Sequence, residues 1–76
     1  MVMTKDMKIV VDFCYENICD FEERVKMALD KIYYWRYPLT LVDMSLYGDI
    51  ADAIAECAEE YDIDAESIDI EEVIRA

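Results

Sequence analysis

The run Met7–Tyr15, MKIVVDFCY, constrains the fold more than any other stretch of this 76-residue chain. Ile9, Val11, Phe13 and Tyr15 alternate with Lys8, Val10, Asp12 and Cys14, and β-branched and aromatic residues dominate. That period of two predicts a half-buried β-strand. A lone strand leaves its backbone groups unpaired, so it needs a partner in this chain or in a second copy. Leu39–Val42, LTLV, is one such partner, equally readable as a strand or a buried connection. The C-terminal stretch 61–76 is the other, since Ile63, Ala65, Ile68 and Ile70 alternate with acids. There, Asp69 is also placed to cap a short terminal helix containing Val73 and Ile74.

Two longer segments carry helical spacing instead. Phe21, Val25, Ala28, Leu29, Ile32 and Tyr33 form one apolar stripe, with charged residues between them. Asp20 and Glu23 make an aspartate version of the capping box, and Pro38 restricts Tyr37 to extended backbone. A helix is therefore expected over about 20–35. A second is expected over about 44–61, with Asp43 or Ser45 as its cap and Leu46, Ile50, Ala53, Ile54, Cys57 and Tyr61 on its inner face. The expected architecture is α+β: an N-terminal strand, in a small sheet with 39–42 or the C-terminal segment, packed on two main helices in a single domain spanning 1–76. One glycine and one proline leave little material for long loops.

The apolar fraction of 57% argues for a folded core despite a net charge of −12. Three cysteines, an odd number with no Cys-x-x-Cys pair, read as free thiols in a reducing cytoplasm. Met1–Val11 contains Lys5, Asp6 and Lys8 rather than a long apolar run, so no leader is expected. No segment approaches the ~18 apolar residues of a membrane span. Direct nucleic-acid or anionic-lipid binding is disfavoured, because both need basic surface.

Catalytic chemistry finds little footing. There is no histidine, so the usual general base and zinc ligand are missing. A cysteine nucleophile would lack its imidazole, and a phosphate loop cannot be built from one glycine. Asp62, Asp64 and Glu66 occupy positions 1, 3 and 5 of a possible calcium loop, but Ser67 and Val73 stand where an EF-hand needs Gly and Glu. No enzyme activity, metal or cofactor is expected. The chain resembles acyl carrier proteins in size, acidity and the phrase Ala58-Glu59-Glu60-Tyr61-Asp62-Ile63. It departs from them at Asp43-Met44-Ser45-Leu46, where a carrier has Asp-Ser-Leu, with the serine bearing the phosphopantetheine arm.

Twelve of the 19 acids lie between Asp43 and Glu72, and Arg75 is the only base beyond Asp43. At 100° per residue, Asp49, Asp52, Glu56, Glu59 and Glu60 fall within about 100° of one another on the second helix, turned from its apolar stripe. Asp62, Asp64 and Glu66 continue the charge. Soluble faces ordinarily mix both signs; this one does not. Acids recurring every ~5 Å along a helix are sparser than the ~3.4 Å per charge of a DNA strand, and a neighbouring row of Asp62, Asp64, Glu66, Asp69, Glu71 and Glu72 would bring the density close to it. In size, charge and this acidic helix the chain resembles the small phage and mobile-element proteins that disable host nucleic-acid machinery: DNA mimics, anti-restriction and anti-CRISPR proteins. The resemblance is to a class rather than to one fold. It implies a non-enzymatic inhibitor in the host cytoplasm, occupying the basic groove of a nucleic-acid-binding protein such as a CRISPR effector or restriction enzyme. Tyr34, Trp35 and Arg36, of residue types enriched at binding hot spots, would add an anchor. The alternative is a small interaction or assembly module, including a homodimer, whose acids serve solubility.

Overall fold

The Met7–Tyr15 run is helical. In a computed structural model of the protein, which describes residues 4–75, it lies within α1, Lys5–Asn17. The expected α+β architecture is overturned, since the described residues contain helices and no strand. The same residues that alternate with period two also carry the period of 3.6. Met7, Val10, Val11 and Cys14 stand at i, i+3, i+4 and i+7, and all four are buried. A strand would send Val10 and Val11 to opposite faces. The helix-propensity cost of valine and isoleucine is only a few tenths of a kcal/mol per residue. Burying one apolar side chain is worth about 1.5–3 kcal/mol, so packing decides. Thr4 starts the helix, its hydroxyl accepting the Met7 N–H at 3.1 Å.

Helix α2, Phe21–Trp35, buries Phe21, Val25, Ala28 and Ile32 on one stripe. Asp20 precedes it with φ 55° and makes no side-chain capping bond, so the expected capping box does not form. Arg36 ends it in the left-handed region at φ 60°, donating its N–H to the Ile32 carbonyl at 2.8 Å. Leu39–Val42 is a single helical turn, α3, rather than a strand; it bridges α2 and the next helix and buries Leu39. Helix α4, Met44–Tyr61, has the expected bounds, and Asp43 is its cap, accepting the Leu46 N–H at 3.0 Å. Past Asp62 the chain makes a 3-10 turn at Ala65–Ser67 and a short helix α5, Ile70–Arg75. Asp69 accepts the Glu71 N–H there at 3.0 Å, and Val73 and Ile74 are buried, so the helical option for the C-terminal stretch holds and the strand option does not.

The main packing is α1 against α4, with α5 laid across α1, α2 and α4. Every helix contributes to one core, at whose centre Val10, Cys14, Leu46, Ile50 and Cys57 have no exposure. No polar or charged residue is buried among the described residues. A radius of gyration of 11.9 Å agrees with the ~11 Å expected of one compact domain of this length. No helix among the described residues is long and apolar enough to cross a membrane.

Candidate functional site

The inner stripe of α4 fixes where its acids go. With Leu46, Ile50, Ala53 and Cys57 locked into the core, Asp52, Glu56, Glu59 and Glu60 are left exposed on an adjoining face. None of these four makes an ion pair among the described residues. Asp49 differs. Arg24 Nη1 of α2 reaches its Oδ2 at 2.9 Å, and Arg24 Nη2 lies 3.5 Å from Ser45 Oγ. The head of the acidic stripe is therefore neutralised, and the open array begins one turn later.

That array is held against its own electrostatics. Acids at i,i+3 and i,i+4 repel by about 0.2–0.5 kcal/mol per pair. Glu59 and Glu60 also sit at the negative end of the α4 dipole, where no base occupies the last turn. Acids at that end are disfavoured by about 0.3–1 kcal/mol each at low salt. A groove of about 320 Å³ runs beside the stripe, between α4 and the end of α1; Phe13, Asn17, Cys19, Asp52 and Glu56 are among its walls.

The acids after α4 are used unevenly. Asp64 turns back to accept the Glu66 N–H at 3.1 Å, and Asp69 serves α5 in the same way. Glu71 Oε1 accepts the Leu39 N–H at 2.9 Å, capping α3 from 32 residues away. Asp62 and Glu66 are exposed and extend the charge past the end of α4. Among the described residues no group of three or more acids or thiols is arranged to hold a metal ion.

The aromatic cluster lies on the outside. Tyr34 is 78% exposed and Trp35 60%, their rings edge to face with centroids 5.0 Å apart. Tyr33, Tyr37, Leu41 and Met44 are all more than half exposed as well. Tyr33, Arg36, Tyr37, Glu71 and Arg75 line a second cleft of about 500 Å³, which shares no residue with the groove beside the acids. Of the expected anchor, Arg36 lines this cleft, whereas Asp49, Asp52 and Glu56 of the expected acids line the groove. Sequence reasoning missed Leu41, which lay in a stretch read as a strand or a buried connection, Met44, and Arg24, whose partner lies on another helix.

The thiols divide by burial. Cys14 and Cys57 are fully enclosed and Cys19 is exposed. Burial, with Cys57 adding to it, pushes the Cys14 thiol up to about 12. Cys57 is raised too, by burial first and then by the charges of Glu60 and Glu56. Neither is a nucleophile at neutral pH. Compared with known proteins, the chain matches no family model, no curated protein and no solved structure.

Proposed function

We propose that this chain is a non-enzymatic inhibitor that occupies the basic groove of a nucleic-acid-binding protein. Asp52, Glu56, Glu59 and Glu60 of α4, continued by Asp62 and Glu66, stand in for phosphates; Asp49 orders the head of the stripe through Arg24. One observation carries the reading. Four exposed acids share one face of a packed helix and, among the described residues, none of them makes an ion pair, although mutual repulsion and the helix dipole both oppose them. Solubility alone asks for charge of either sign, not for a single-sign array fixed in place. A rigid array loses less entropy on binding than a disordered acidic tail, and its field steers a basic partner toward it. The reading places the protein in the compartment of its target, the host cytoplasm for a phage-encoded chain. A double reversal, Glu56→Lys with Glu59→Lys, tests it: capture of DNA-binding proteins should be lost while the helical circular dichroism persists. Unchanged capture would defeat the proposal.

A second reading, an interaction or assembly module, is favoured by the exposure of Tyr33, Tyr34 and Trp35 at the end of α2. Binding hot spots are enriched in these residue types. Under this reading Trp35→Ala, not the acid reversal, removes binding.

A further inference from the structure

We propose that the exposed aromatic end of α2, together with α3 and the start of α4, is the contact through which two copies of this chain pair. This deepens the second reading above and does not depend on the acidic face.

The exposed aromatics coincide with the stretch of chain where acidic charge is nearly absent. Residues 31–48 contain two bases, Lys31 and Arg36, against one acid, Asp43, a local charge of +1 that leaves −13 on the rest of the chain. The carboxylate of Asp43 is already engaged by the Leu46 N–H. Within that same window lie Tyr33, Tyr34, Trp35, Tyr37, Leu41 and Met44, each between 53% and 78% exposed. The part of the sequence that leaves the most large apolar side chains in water is also the part with almost no acid. Two copies meeting there bring their least repulsive segments together and leave both α4 stripes out of the contact. A contact between two α4 stripes would set acid against acid.

Composition supports the same occupant. Interface cores are depleted in Lys, Glu and Asp and enriched in Tyr, Trp, Met and Arg. A two-fold contact uses the same patch on both copies, so the patch must be complementary to itself. A near-neutral aromatic surface meets that condition; the acidic face does not. The tyrosine hydroxyls and the Arg36 guanidinium supply the polar rim that such a contact needs.

Sedimentation equilibrium of the full chain, with emission from its single tryptophan followed across the same concentrations, tests the pairing. The mass should rise from 8.9 kDa toward twice that value with concentration, and Trp35 emission should shift to the blue in parallel. Added salt should strengthen association, because it screens the repulsion between two acidic bodies. Binding of a basic target by the acidic face should instead weaken with salt, so failure of one proposal is distinguishable from failure of the other. Trp35→Glu should weaken association at least about tenfold, as loss of a hot-spot residue does. Tyr34→Glu should do the same, providing a second variant should Trp35→Glu fold poorly. A monomer mass at every concentration and salt would overturn the proposal. So would a dimer whose Trp35 emission does not change.

Discussion

Arg24 and Asp49 meet at 2.9 Å across 25 residues of sequence, and their pairing sets where the acidic face of α4 begins. Asp49 belongs to the same angular cluster as Asp52 and Glu56 but faces a guanidinium rather than solvent alone. With the two side chains 26% and 45% exposed, the pair contributes modestly to stability, within the ~0.2–1 kcal/mol of exposed pairs. Arg24→Ala should therefore lower the melting temperature by about 1–8 °C. It should also tighten binding to a basic target by releasing one more carboxylate. A thermal melt and a binding titration on the same variant check both halves.

Neutralising the stripe should move stability and binding in opposite directions. Glu60 sits at the negative end of the α4 dipole and one turn from Glu56. Glu60→Gln removes both penalties, and should stabilise the fold by a few tenths to about 1 kcal/mol at low salt. The same variant should bind a basic target less tightly. Denaturant unfolding would show the gain, and its disappearance at high salt would identify its electrostatic origin.

Gly48 marks an unused gain in stability. A Cβ added there meets nothing within 4 Å, and its backbone is ordinary helix. Gly48→Ala should stabilise the protein by about 0.5–1 kcal/mol. For a domain this small, 1 kcal/mol raises the melting temperature by about 4–8 °C. Differential scanning calorimetry measures it directly.

The fold was legible where one period dominated. The stripes Phe21–Ile32 and Leu46–Cys57 have no plausible reading as strands, and α2 and α4 lie within a residue or so of where periodicity puts them. Met7–Tyr15 was not, because Val10 and Val11 satisfy both periods and their β-branching tips the local reading toward a strand. What decided it was burial of Met7, Val10, Val11 and Cys14 against α4, a tertiary fact with no local signature. The acidic face was legible by angle alone. Its neutralised head was not, because Arg24 is brought to it by packing. Nor was the fate of Glu71, whose carboxylate caps α3 rather than joining the charge array.

The thiols should report the core. Cys19 should react with a thiol reagent at once, and Cys14 and Cys57 only as the protein unfolds. Stability should also fall in alkali. The buried Cys14 thiol is neutral in the folded protein up to about 12, whereas in the unfolded chain it ionises near 9.0. A folded value raised above the unfolded one means full stability below pH 9, lost progressively as the pH rises toward 12. Unfolding measured through that window, with Cys14→Ala for comparison, should show the slope shrink in the variant.

The central claim is that a fixed array of carboxylates replaces nucleic acid in a basic groove. Capture of proteins from a lysate on the immobilised chain, at low salt, at high salt and with added duplex DNA, tests it most directly. Nucleic-acid-binding proteins should be retained at low salt and released by either salt or DNA, and Glu56→Lys with Glu59→Lys should retain none. Retention that neither DNA nor salt reverses, or no nucleic-acid-binding protein retained at low salt, would contradict it.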